Sequence, residues 1–268
     1  MKVIDMHVHT AFSFDGRSTV EEECQTAFSN NLSGICFTEH FSVDPADVSY
    51  GVLDYESYKK KLLECKAKYG TSFWIGCGLE IGEPHLEKYR QHLNQMQKEM
   101  KLDFVIGSIH NIGSKKIRLF MDGKSRDEIY TAYFQEVLKM IEIADIDVIG
   151  HLDLAKRYAF AAWGDYDFSQ YKDVLTQILI CAIKRNIGIE VNTSGWRNQV
   201  RKTYPSVEVI KLYRELGGKY ITLGSDAHET LNLGYCFSDA RDMLLNAGFE
   251  NIYYYIQRKP KEIALEKI

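Results

Sequence analysis

The stretch Lys2-Val-Ile-Asp5-Met-His7-Val-His9-Thr10 joins a β-branched apolar run to two histidines spaced two residues apart. A run this short and this rich in Val and Ile reads as a buried strand over residues 2–7, since a helix needs about ten residues or more. Side chains two apart on a strand share a face, so the imidazoles of His7 and His9 can reach one ion. Outward from this stretch, the same kind of run recurs at 34–38, 73–79, 104–109, 148–150, 188–191 and 220–224. Between these runs lie segments of helical spacing with charged faces at 56–68, 86–100, 126–144, 171–185 and 207–216. Ser18 followed by Glu21 predicts a capping box opening a first helix, which Asn31 and Gly34 close, and Gly217-Gly218 stops the last helix of the series. Seven strand–helix units in succession predict a parallel sheet. No dinucleotide fingerprint follows the first strand, so the expected fold class is α/β, with the sheet closed into a barrel.

Four prolines, no Gly/Ser-rich linker and no repeat interrupt the alternation, which predicts a single domain over residues 1–268. A last run at 251–256 is expected to be an extra strand covering one end. Hydrophobic residues make up 45% and charged residues 26%, the balance of a globular chain. The formal net charge of −4 provides no basic field for a polyanion, so long nucleic acid is not an expected partner. None of the six cysteines falls in a C-x-x-C pair, and Cys36 and Cys77 lie in strand-like runs, which predicts buried free thiols. The N-terminus lacks a signal-peptide apolar region and no apolar run could span a bilayer. The expectation is a cytoplasmic protein without a membrane partner.

Six of the eight histidines, His7, His9, His40, His110, His151 and His228, follow at the ends of predicted strands, as do Glu80 and Asp226. In a parallel barrel the C-terminal ends of all strands meet on one face, where sites are built. Each histidine alone could be a satisfied core or loop residue, but six at one topological position argue for a shared site. Imidazoles and carboxylates without thiolates suit Zn2+, Mn2+ or Fe2+. The ligands are too many for one ion and predict two or three divalent metal ions, with Glu80 as the bridging carboxylate. Asp226 and His228 would repeat the i, i+2 geometry of His7 and His9 if the last strand extends that far. His92 reads as a solvated surface residue, while His85 could line the pocket.

The motifs Asp5-Met-His7-Val-His9-Thr10, Thr38-Glu39-His40, Gly78-Leu-Glu80, Gly107-Ser-Ile-His110, Gly150-His151-Leu-Asp153 and Gly224-Ser-Asp226-Ala-His228 resemble, in order, those of the PHP (polymerase and histidinol phosphatase) superfamily. The resemblance spans residues 5–228 and implies a distorted (β/α)7 barrel with a trinuclear metal site. Three details resemble its stand-alone histidinol-phosphatase branch: the segment Glu190-Val-Asn192-Thr193-Ser194-Gly195-Trp196-Arg197, Lys156 and Arg157 after Asp153, and the chain's size. Asp15 stands where many members of the superfamily carry histidine, a difference the branch shares. By this resemblance one ion would take His7, His9, Glu80 and Asp226, a second Glu80, His110 and His151, and a third Asp15, His40 and His228.

The activity implied is hydrolysis of L-histidinol phosphate to L-histidinol and inorganic phosphate, a step of histidine biosynthesis, by metal-activated water. Arg197 is the first candidate for a phosphate clamp and Arg157 the second, because a guanidinium matches two phosphate oxygens. The proton for the leaving alcohol is left open between Asp226 and a bound water. Glu83 and Tyr158 are available to recognise the imidazole and ammonium of such a substrate. A phosphoesterase acting on nucleotides or other small phosphate esters is the alternative, and a non-catalytic metal-stabilised module is a third reading.

Overall fold

The computed structural model describes residues 3–268. Seven parallel strands stand side by side in sequence order: β1 (Ile4–Val8), β2 (Gly34–Phe41), β3 (Trp74–Gly82), β4 (Phe104–Ser108), β5 (Val148–Ile149), β6 (Gly188–Asn192) and β7 (Ile221–Gly224). The sheet curls until its last strand meets its first. The backbone N–H of Asp226 donates to His7 O at 2.8 Å and that of His9 donates to Ala227 O at 2.8 Å. The result is a nearly closed seven-stranded barrel, distorted where β5 contributes only two residues to the ladder on either side. All seven strand runs expected from the sequence are present; the expected start of the first, Lys2, lies outside the described residues.

Among the described residues, eight helices of nine residues or more surround the strands: α1 (Val20–Ser29), α2 (Tyr55–Tyr69), α3 (Glu87–Met100), α4 (Arg126–Ile143), α5 (Ala155–Trp163), α6 (Phe168–Lys184), α7 (Val207–Glu215) and α8 (Phe237–Asn246). The first capping box is one residue later than expected. Thr19, in extended conformation, accepts from the backbone of Glu22, and the Glu22 side chain returns to Thr19. Ser18 instead accepts the Thr230 N–H. Helix α6 begins three residues before the expected start because Asp167 caps it. The sequence reading left out α5 and α8; each is a short element with no side-chain cap hydrogen bond at its N-terminus.

The two ends of the barrel differ in chemistry. At the N-terminal end, Ile4, Met6, Cys36, Phe104, Ile106 and Val148 form an apolar plug. The run at 251–256 covers that end as one strand of an antiparallel hairpin, β8 (Asn251–Ile256) and β9 (Lys259–Ala264), placing the Tyr255 ring 5.0 Å from Phe104. Arg258, at the hairpin turn, pairs with Asp145 and Asp147 and ties the cover to the barrel. The polar residues gather at the opposite end. All six cysteines are free thiols, Cys36 and Cys77 buried. Among the described residues no helix is long and apolar enough to cross a membrane.

Candidate metal centre

His7 lies within β1, His40 within β2 and Glu80 within β3, so these strands carry their polar side chains inside the ladder rather than just past it. His9 follows β1 directly, and His110 and His151 stand two residues beyond β4 and β5. Strand β7 ends at Gly224, so Asp226 and His228 do not repeat the strand geometry of His7 and His9. Asp226 instead takes a left-handed backbone with φ 54°, held by its N–H to His7 O. His151 also has positive φ, at 23°. Non-glycine residues in this region store strain and persist where surrounding contacts hold them.

Glu80 is the hub. Its Oε1 lies 2.7 Å from His151 Nε2 and 3.3 Å from His110 Nε2; its Oε2 lies 2.8 Å from His40 Nδ1 and 3.5 Å from both His7 Nε2 and His9 Nε2. Ser108 Oγ donates to Oε1 at 2.6 Å and fixes the rotamer. On the other side, Asp226 Oδ1 stands 3.6 Å from His7 Nε2, 3.5 Å from His9 Nε2 and 3.7 Å from His228 Nδ1. Asp15 reaches His228 Nε2 at 3.3 Å and His40 Nε2 at 3.5 Å. The structure thus brings all nine sequence-predicted ligands into one cluster. Glu80, His7 and His9 form a buried floor, and His110, His228 and Asp15 a more exposed rim. Ligand atoms converge in three groups: His7 with His9 and Asp226; His40 with Glu80 and His110; His9 with His40 and His228.

These distances fit metal ions. The His7 and His9 Nε2 atoms stand 3.0 Å apart, and each lies 3.5–3.6 Å from an oxygen of Glu80 and of Asp226. Ligands around one ion with bonds of about 2.0–2.1 Å sit roughly 3.3–3.4 Å apart, close to the spacing between these two imidazoles and each carboxylate taken in turn, and the ligand atoms of His7, His9 and Asp226 converge as one group. Glu80 Oε2 is buried without a hydrogen bond although imidazoles surround it, as an atom placed for a cation would be.

Electrostatics agree. Burial would raise the Glu80 and Asp226 carboxyls, but their imidazole partners, led by His110 and His7 respectively, hold both well below the usual range. Burial works against a proton on His7 and His40, yet Glu190, Asp226 and Glu80 hold His7 well above its ordinary value. Glu80 and Asp15 push His40 up to about 10. His9 goes the other way, lowered by burial and by His40 and His228. Protons on His7 and His40 therefore stand in for positive charge that a metal would bring.

Above the cluster opens a cavity of about 660 Å³. Both expected phosphate-binding arginines line it, as do Arg118 and Lys116, for which the sequence offered no signal. Arg197 Nη1 donates to Ser225 O at 2.7 Å and Nη2 to Asp226 O at 3.0 Å, so it braces the Asp226 turn while facing the cavity. Arg157 and Arg118 are exposed and form no ion pair among the described residues. Lys156 is turned away from the site. Its fully buried ammonium donates to Asp153, Thr203 O and Ser206 and ties the 193–206 loop to α5. His85 is buried against Glu136 at 2.9 Å, off the cavity wall, and His92 is exposed as expected. Glu83 accepts the backbone N–H groups of His110 and Asn111 and so shapes the His110 loop; Tyr158 lines the cavity.

A barrel whose C-terminal mouth holds interlocked imidazoles and carboxylates defines a divalent-metal centre. The PHP domain family matches residues 5–194, and the chain belongs to that family. Its relatives include a probable histidinol-phosphatase of Clostridium acetobutylicum, 28% identical over 94% of this chain and 96% of its own length. A histidinol-phosphatase of Lactococcus lactis subsp. lactis is also 28% identical, over 94% of each chain. The crystal structure of histidinol phosphate phosphatase from Lactococcus lactis subsp. lactis, complexed with zinc, L-histidinol and phosphate, matches with a TM-score of 0.87. It is 25% identical and covers 97% of this chain and 99% of its own.

Proposed function

We propose that this protein is a metal-dependent phosphoric monoester hydrolase that converts L-histidinol phosphate to L-histidinol and inorganic phosphate, a step of histidine biosynthesis. The observation that carries the reading is the convergence of His7, His9 and Asp226 beside a second group of His40, Glu80 and His110, in a chain alike over nearly its whole length to a protein complexed with zinc, L-histidinol and phosphate. Two or three ions, Zn2+, Mn2+ or Fe2+, would be held by His7, His9, Asp15, His40, Glu80, His110, His151, Asp226 and His228. When bound, such ions lower the pKa of a coordinated water from about 16 to about 7 and neutralise phosphate oxygens. One barrel supplies every ligand, so a single domain suffices.

The chain's own groups account for the rest. Arg157, exposed and unpaired at the mouth, captures the phosphate. Arg197, already oriented by two carbonyls, offers its remaining N–H groups to the non-bridging oxygens, where charge accumulates during transfer. In the net reaction the water oxygen bonds to phosphorus, the bond from phosphorus to the alcohol oxygen breaks, and a water proton passes to the alcohol. Asp226 is held ionised at neutral pH, which suits it to hold a cation and not to protonate the leaving alcohol. A cavity of about 660 Å³ accommodates a small phosphate ester.

The test is phosphate release from histidinol phosphate, a nucleoside monophosphate and an aryl phosphate, before and after dialysis against a strong chelator. Turnover should be fastest with histidinol phosphate, vanish on chelation and return with Zn2+ or Mn2+. Equal activity in the metal-free protein would refute the metal-dependent reading, and a preference for the nucleotide would refute the substrate.

A further inference from the structure

We infer that Glu190 is a positioning residue that orients ligands of two different metal positions at once, His7 by its ring and His151 by its backbone. The inference rests on the metal-centre reading and not on the identity of the substrate.

Strand β6 carries Glu190 into the wall behind the cluster, where its side chain is about 1% exposed. Its Oε1 lies 2.6 Å from His7 Nδ1, and its Oε2 accepts the His151 backbone N–H at 2.8 Å and Asn192 Nδ2 at 3.2 Å. With Oε1 against Nδ1, that nitrogen is turned to the wall and Nε2 is the ring nitrogen that faces the cluster. The second contact acts on geometry. His151 sits at φ 23°, and a buried acceptor on its N–H holds that turn in place, aiming Nε2 at Glu80 Oε1 2.7 Å away. His7 belongs to the group with His9 and Asp226, whereas His151 reaches Glu80 from the side of His110.

The neighbouring strand is shaped for this contact. A Cβ on Gly224 would lie 2.1 Å from Glu190 Oε1 and 2.5 Å from His7 Cβ. Gly224 does not have positive φ, so what the position requires is room and not backbone freedom. His9 is oriented by a different device. Ser13 Oγ donates to Glu39 and is left to accept from His9 Nδ1 at 3.2 Å. The same Ser13 Oγ also accepts the His40 N–H at 3.0 Å, so one hydroxyl oxygen meets two ligands there, whereas Glu190 meets His7 and His151 with separate oxygens.

An amide cannot replace it. Both oxygens of Glu190 face donors, and glutamine offers one acceptor and one donor, so it satisfies either His7 or His151 and opposes the other. Glu190→Gln and Glu190→Asp are purified, stripped and reloaded with Zn2+. Stoichiometry and affinity are read by chelator competition, with folding followed by circular dichroism of the metal-free proteins. The Co2+-substituted proteins report ligand geometry through their visible spectra. The expected result is a fold that melts as the unaltered protein does, roughly 10- to 100-fold weaker retention of two metal equivalents, and an altered Co2+ spectrum. Retention within twofold of the unaltered protein, or weakening of a single equivalent only, overturns the inference. Should the glutamine variant fail to fold, the aspartate variant carries the same test, because shortening the side chain withdraws both oxygens while keeping the acid. None of these readouts involves a phosphate ester, so failure here is distinguishable from failure of the proposed activity.

Discussion

Metal binding should tighten steeply as the pH rises through neutrality, because protons occupy the cluster that the ions must enter. His40 in the metal-free protein is held at about 10, with Glu80 and Asp15 outweighing burial. The sign follows directly: a ligand whose pKa is raised is protonated at pH 7, a cation must displace that proton, and apparent affinity climbs until the pH passes the raised pKa. Three pH units of separation correspond to about 4 kcal/mol, or roughly a thousandfold loss of apparent affinity at pH 7. Between pH 6.5 and 8.5 this single proton should strengthen Zn2+ binding about 100-fold, a decade per unit. His7, also held well above its ordinary value, should steepen the slope toward two decades per unit. Glu80 and Asp226 are ionised throughout this window and add nothing to the slope. The assay is competition against a chelator of known proton affinities, paired with the protons released into weakly buffered solution. His40→Gln should bind more weakly and lose about one decade per unit of slope. An affinity that stays flat across the window, or a slope unchanged in His40→Gln, would refute this electrostatic account.

Two further outcomes are expected. Glu23 is buried in α1 with neither oxygen hydrogen-bonded, and burial pushes its carboxyl up to about 8. Its ionisation therefore opposes the fold: the penalty is absent below about pH 4, grows through neutrality and is complete above pH 8. Urea denaturation should find Glu23→Gln gaining roughly 2–4 kcal/mol over the unaltered protein between pH 4.5 and 8, and a constant difference would count against it. The two arginines should separate kinetically. Arg157→Ala should raise KM for phosphate esters about tenfold at an unchanged melting temperature, whereas Arg197→Ala should lower kcat and weaken metal retention as well, because it frees the Asp226 turn. Identical kinetic signatures for the two variants would sink that distinction.

What could be read from the sequence follows from how the site is made. A metal ligand is marked by residue type and by its place at a strand end, and both are local properties; a parallel barrel then collects such positions whatever their separation in the chain. That is why His7, Glu80, His151 and Asp226 could be named together before any distance was known. Hydrogen-bond partners have no such mark. Glu190 meets His7 across 183 residues, and neither its place in a strand nor the family-like segment it opens says which ligands it touches. The Asp226 turn was hidden for a related reason. Asp226 and His228 repeat the spacing of His7 and His9, but β7 stops at Gly224, and barrel closure onto His7 O sets the backbone there. The first helix cap was misplaced by one residue because Ser18-Thr19 followed by Glu21-Glu22 offers two overlapping boxes. Only tertiary contact, the Thr230 N–H on Ser18, separates them.

The two ends of the barrel explain why such a cluster can exist at all. Six imidazoles and several carboxylates crowded at one mouth, most of them buried, are unfavourable unless charge and hydrogen bonds are matched, and left to themselves they would repel or draw in water. The two buried acids that touch the cluster's ligands or their supports are therefore anchored: Glu190 by His7 and the His151 N–H, and Glu39 by Thr10 and Ser13. The opposite end supplies rigidity, with an apolar plug under the hairpin cover and the Arg258 ion pairs closing it. Cations entering the mouth relieve the remaining mismatch, the crowded Nε2 atoms of His7 and His9 and the Glu80 Oε2 that no hydrogen bond satisfies. Binding energy and folding energy are then linked, because ions that fill the cluster bind the folded chain and have no preformed site in the unfolded one.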